Sequence, residues 1–196
     1  MDELLAADDK MSFENYAIES QLNQESLAEC SGKSPIEAAR ISLTGFSEDN
    51  LPMVVALKGL ALQMGDLKKQ FAAVGDKDSV ENLTAAQLDM ADQIGSGTSG
   101  NYINNQLVAI AIESISLSQL DQNTSYDFLD GETPAQVAQE IKNQKIQLSQ
   151  TIRSFHALYH QFTESELLNY TERIKTDGEL EAMKWVVQQH QQNMLQ

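Results

Sequence analysis

The chain of 196 residues holds a single cysteine, Cys30, which excludes an intrachain disulfide framework and a cysteine-built zinc site. Basic residues are scarce: 13 Lys and Arg stand against 29 Asp and Glu, a formal charge of −16. Phosphate backbones and anionic headgroups are recognised by clustered Lys and Arg. The deficit therefore argues against nucleic-acid binding and against docking on anionic lipid. Long apolar runs are missing as well. The longest, residues 51–64, contains Lys58 and Gln63 and falls short of the roughly 20 residues of a bilayer span, so no membrane insertion is expected. Clean apolar–polar alternation over five or more positions is also absent, so strands are not required. The first ten residues are acidic with no apolar stretch behind them, unlike a secretory signal. Two compartments fit this: the cytoplasm, or the periplasm for a mature chain whose signal has given way to Met1. Asn and Gln make up about a sixth of the chain while Lys is sparse, a composition that suits the periplasm.

What is present is helix grammar. Ser34-Pro35-Ile36-Glu37 is a capping box with proline at the first helical position, Thr133-Pro134-Ala135-Gln136 repeats it, and Thr163-Glu164-Ser165-Glu166 does so without the proline. Gly32, Gly75, Gly95 and Gly178 stand where helices should stop. The pattern predicts helices near 12–30, 35–44, 50–74, 79–94, 102–120, 134–161, 164–176 and 179–194. Val54, Val55, Leu57, Leu60, Ala61, Leu62 and Met64 cover most of one circumference, and Ile103, Leu107, Val108, Ile110, Ile112, Ile115 and Leu117 most of another. Helices apolar on most sides must be surrounded, so these two are the expected centre of the core. Over 134–161 the apolar positions, among them Ile141, Leu148, Ile152, Phe155 and Tyr159, keep to one narrow seam. Such a stripe packs along its own chain or along a second copy as a homodimer.

The expected fold is all-α, one domain over 1–196 of about eight helices with a Gly/Ser-rich central loop at 95–100. That loop is also a candidate hinge, and the alternative division is two helical halves, 1–94 and 101–196. Residues 1–100 carry 17 acids and 7 bases, residues 101–196 carry 12 and 6, so both halves are acidic.

Gly95–Gly100 spells G-x-G-x-x-G, but a dinucleotide fingerprint follows a strand and here a helix precedes it. The most specific local pattern is the stretch 121–132. Asp121, Asn123 and Ser125 occupy loop positions 1, 3 and 5, Asp127 position 7 and Glu132 position 12. The stretch resembles a calcium-binding EF-hand loop, in which those oxygens would wrap around Ca²⁺ and Glu132 would bind through both oxygens. It departs from that pattern at position 6, where Tyr126 replaces glycine, and at Thr133-Pro134, which reads as a fresh helix start. The competing reading is a polar connection capped by Thr133. His156 and His160 share a helix face four residues apart, with Glu164 four further on. They form a candidate Zn²⁺ site, weighed against histidines at the edge of a core; a zinc-protease pattern would need Glu where Ala157 stands.

The order Phe162, Thr163, Glu166, Leu167, Tyr170 and Gly178 resembles the C-terminal helical domain of a family of bacterial periplasmic proteins of unknown function. The resemblance spans about residues 135–195 and implies a helical fold and an envelope location, not a reaction. Without a catalytic constellation, the chain reads as a non-enzymatic, acidic binding protein of bacterial origin. It would act on a protein partner, for example a basic one that it neutralises or chaperones. The alternatives are a Ca²⁺-binding module through 121–132 and a metal-dependent hydrolase using His156 and His160; outside these, no cofactor is expected.

Overall fold

Three helices open on the capping boxes written in the sequence. The computed structural model describes residues 26–28, 30–96 and 102–195, with the backbone only at 39, 40 and 42–54. In it Ser34, Thr133 and Thr163 each accept the amide three residues on, while Glu37, Gln136 and Glu166 reach back to the cap. A cap of this kind is worth about 1 kcal/mol, because the first turn's amides have no partner within the helix. These boxes begin α1 (Pro35–Ala73), α4 (Pro134–Leu158) and α5 (Glu164–Asp177). Between α1 and α4 come α2 (Lys77–Gly95), capped by the Asp76 carboxylate, and α3 (Ile103–Ser116); α6 (Glu179–Met194) follows α5. Two 3-10 turns, Asp127–Leu129 and Tyr159–Gln161, complete the described elements. Among the described residues there is no strand, and the fold is all-α. No helix among them is long and apolar enough to cross a membrane. Of the helix predicted near 12–30, residues 26–28 are helical. The part before residue 26 and residues 97–100 of the glycine–serine segment lie outside the described residues.

Three apolar clusters hold the helices together. The largest joins Leu148 and Phe155 of α4, Phe162, Leu167, Tyr170 and Ile174, and Ala182, Met183 and Val186 of α6. The seam predicted on α4 is thus packed within its own chain, with Ile141, Leu148 and Phe155 buried and Ala138 and Lys145 exposed. A second cluster sets Ala61 of α1 and Ala91 and Ile94 of α2 against Ala109 and Ile112 of α3. It therefore draws on residues from both sides of the glycine–serine segment. The third gathers Val80, Leu117, Leu120, Leu129 and Ile141.

The sequence predicts two helices over 35–74, yet α1 is a single helix of 39 residues. It runs through Gly45, Asn50 and Pro52, which together disfavour a helix by several kcal/mol on the order of 1 for glycine and 3 for proline. Both ends are anchored. Ile36 packs against the large cluster, Ala38 is fully enclosed, and Ala61 and Lys68 are buried further along. Tertiary packing of this kind outweighs local propensity. The same helix departs from the predicted all-round burial: Ala61 is enclosed, but Val55, Leu60 and Leu62 are exposed. Val54 lies outside the described side chains.

Two glycines matter to the path of the chain. Gly178 has φ +84° and ψ 159°, a conformation that side chains rarely adopt, and it alone joins α5 to α6. Gly95 is the last residue of α2, where a Cβ would stand 2.8 Å from the Cβ of Ala109 on α3. The first glycine of the apparent dinucleotide motif thus serves close helix approach. Gly95→Ala raises helix propensity and should nevertheless destabilise the protein by about 1–3 kcal/mol, because α2 and α3 must separate. Urea unfolding monitored by circular dichroism measures this.

Candidate functional site

Helices α2, α3, α4 and α6 together line a cleft of about 510 Å³. Its lining is polar for a helical interior. α4 contributes Gln144 and Gln147, α3 contributes Gln106 and Glu113, α2 contributes Asp92, and α6 contributes Lys184. The local folding logic is simple: each helix turns its apolar stripe into a cluster and leaves its polar flank for the cleft. Thus Ala91 and Ile94 enter the core while Asp92 points away from it, and Ile112 is enclosed while Glu113 is half-buried.

The electrostatics of the cleft are unbalanced. Partial burial, and then the charge of Asp92, push the Glu113 carboxyl above the usual carboxylate range. Neither carboxylate has a cationic partner among the described residues. The one ammonium in the lining, Lys184, is held by Glu181 at 2.6 Å. Two like charges facing an open cleft, neither with an ion-pair partner among the described residues, are unfavourable for the free protein. The arrangement can accept a cationic group, whose binding would relieve that repulsion.

The loop that resembles an EF-hand is held by turn hydrogen bonds. Asp121 accepts the Asn123 amide on one oxygen at 3.1 Å and the Thr124 hydroxyl on the other at 3.0 Å; these bonds hold its carboxyl below the usual range. The left-handed residues that an EF-hand needs at its sixth position fall instead at Asp130 and Gly131, φ 54° and 80°. Tyr126 is extended, packs on Phe128 and donates its amide to the Glu132 carbonyl. The apolar Leu129 anchors the segment in the core, so Tyr126, Phe128 and Leu129 decide its path. Ser125 and Asp127 are exposed, and Glu132 is half-buried.

His156, His160 and Glu164 are all exposed. The α-helix ends at Leu158 and tightens into the 3-10 turn at Tyr159–Gln161, so His160 no longer keeps the register that would place it over His156. Phe162 and the Thr163 cap then start a new helix before Glu164. Among the described residues no three His, Cys, Asp or Glu side chains come together as a metal-binding group.

Two buried polar centres escape a sequence reading. Lys68 is fully enclosed and donates to the Ser116 carbonyl at 2.6 Å and to the Ile115 carbonyl and Thr84 hydroxyl at 3.4 Å each. It caps the C-terminus of α3 from another helix, and burial pulls its ammonium down to about 8. Glu166 and His190, both buried, form the second centre. Nδ1 of His190 lies 3.3 Å from Oε1 of Glu166, Asn193 donates to the same oxygen, and Thr163 donates its amide and hydroxyl to Oε2. The signal for each was a lone polar residue on an otherwise buried stripe: Lys68 seven beyond Ala61 and His190 three beyond Val187.

Set against known proteins, the chain matches no family model, no curated protein and no solved structure.

Proposed function

We propose that this chain is an acidic helical binding protein that receives a cationic group of a protein partner, a Lys or Arg side chain, in the cleft between α2, α3, α4 and α6. The observation that carries the reading is the Asp92–Glu113 pair, which shares the cleft with neither carboxylate in an ion pair among the described residues, the lining Lys184 being held by Glu181. The formal charge of −16 supports it further, since a strongly acidic chain attracts basic partners and repels acidic ones at long range. The resemblance of residues 135–195 to helical envelope proteins fits the same reading, as a binding protein of the bacterial periplasm.

Titration calorimetry with a lysine-rich peptide at low ionic strength tests the reading. Binding should weaken with added salt and fall about tenfold in the Asp92→Asn/Glu113→Gln double variant, about 1.4 kcal/mol. Near the elevated Glu113 pKa, binding a cation should release protons, visible as an enthalpy that depends on the buffer. Equal affinity in wild type and double variant, or no binding, would overturn the proposal. The apo protein offers a second readout. Glu113→Gln removes a carboxylate whose ionisation folding disfavours, so it should raise stability at pH 7 by about 0.5 kcal/mol, a small gain because water screens the open cleft. A raised carboxyl pKa means the cost is present above the folded pKa and vanishes below the ordinary one. The gain should accordingly disappear at pH 4 in thermal melts.

A further inference from the structure

The cleft between α2, α3, α4 and α6 holds one cation of its own chain. Leu180 and Lys184 stand four residues apart on one face of α6, and both line the cleft. Glu181 is off that face: it is exposed and lies outside the lining. The stem of Lys184 thus starts from the cleft, while its ammonium is turned aside to the Glu181 carboxylate at 2.6 Å. The two side chains are 43% and 58% exposed, and an ion pair in water of this kind contributes little to stability. It nevertheless fixes where a charge sits. Asp92 and Glu113 in the same lining have no ion-pair partner among the described residues, and the charge acting on Glu113 is that of Asp92. Lysine is long and flexible, so an ammonium that begins in the cleft has two anionic sites to choose between, one outside and one inside.

We infer that Glu181 is a positioning residue for the cleft: by holding Lys184 outward it keeps the chain's own ammonium from taking the place of an incoming cation. The inference rests on the cationic-group reading above and adds how the affinity of that site is set. A tethered ammonium needs no second molecule, so once released it competes at high effective concentration. Each molecule with Lys184 turned inward is closed to a partner, and the apparent affinity falls by the fraction that remains open. Glu181 therefore raises affinity without touching the partner, and Lys184 lowers it. General attraction between acids and a cation behaves differently: the long-range field of Glu181 acts whether or not Lys184 is there. Positioning acts only through Lys184.

Two measurements on the full chain test this, one of them without ligand. In the first, the Glu113 carboxyl is titrated by carbon NMR in the free protein. Glu181→Gln should lower its midpoint, because the released ammonium moves in beside it. The same substitution made together with Lys184→Met should leave the midpoint nearly where Lys184→Met alone puts it. The second is calorimetry with the lysine-rich peptide at low ionic strength, in which Glu181→Gln should weaken binding about threefold. In the Lys184→Met background that loss should disappear, a coupling that independent charges do not produce. Both positions are exposed, so the variants should fold as wild type does. Should the peptide bind none of the proteins, the cationic-group reading falls, and the Glu113 titration still decides where Lys184 sits. A Glu113 midpoint that Glu181→Gln moves equally in both backgrounds, or leaves in place, overturns the proposal. Equal weakening of peptide binding in both backgrounds overturns it as well.

Discussion

Glu166→Ala should lower the unfolding free energy by about 3 kcal/mol at pH 7, far more than a typical helix-cap substitution. The carboxylate accepts the Thr163 amide at 2.7 Å and the Thr163 hydroxyl at 2.9 Å, which closes the capping box of α5, and these are worth about 1 kcal/mol. It also accepts from His190 and Asn193, which fasten the last turns of α6 to the start of α5. Truncation strands a buried imidazole N–H, at a further cost of about 1–3 kcal/mol. Glutamine keeps the reach of the capping box and loses mainly charge, so Glu166→Gln should cost about 1 kcal/mol. Burial alone would raise the Glu166 carboxyl, but the Thr163 and His190 contacts outweigh it and hold the group below its ordinary value. A depressed carboxylate contributes stability above the unfolded pKa and loses it as pH falls through the folded one. Wild type should therefore lose its advantage over Glu166→Ala in acid, below about pH 4. Guanidinium unfolding at pH 7, 5 and 3 measures both the size and the direction.

Lys68→Met should cost about 1–2 kcal/mol at neutral pH, the lost carbonyl contact being offset in part by relief from burying a charge. Methionine fills the space of the lysine stem but leaves the Ser116 carbonyl buried at the end of α3 without its donor, while the Ile115 carbonyl keeps the Ser118 amide. The pH dependence has the same sign as that of Glu166 but falls in the alkaline range. An amine held at about 8 in the folded state and 10.5 in the unfolded state is charged in both below pH 8, and folding then carries the full cost of burying that charge. As pH rises from 8 to 10.5 the unfolded chain still holds the proton while the native one has released it, so wild type gains relative to Lys68→Met. The gain across that interval is about 3 kcal/mol. Comparing the two proteins at each pH cancels the background repulsion of a chain this acidic. Parallel pH profiles for the two would mean that Lys68 is not a buried, desolvated amine.

The reach of the sequence differs from element to element. Ser34, Thr133 and Thr163 announce their helices correctly because a capping box is a local hydrogen-bond pattern, settled within four residues. The seam of α4 is legible for the same reason, since Ile141, Leu148 and Phe155 obey helical spacing and are buried. The continuity of α1 is not legible. Gly45, Asn50 and Pro52 all read as breakers, and what overrides them is packing at both ends of the helix, which local propensity does not encode. Position 126 had warned against an EF-hand turn, and the loop's path is set by where Leu129 anchors. Asp92 and Glu113 are 21 positions apart in sequence and face one cleft only because α2 and α3 pack together. A site assembled across helices leaves no spacing to read, only isolated polar residues on apolar stripes.

Neither end of α3 is written in its own sequence. Tyr102 offers no side-chain cap, and the Ile103 amide is instead satisfied by the carboxylate of Glu179, from the first turn of α6, at 2.9 Å. The other end is closed by Lys68 of α1. A peptide of residues 102–117 would therefore fray from both termini, and α3 becomes a helix of fixed length only when α1 and α6 are already beside it. Partly assembled states should gain little from it, and the helix is expected to form together with the packing of α1 and α6. Unfolding of the region it bridges should be all-or-none rather than helix by helix.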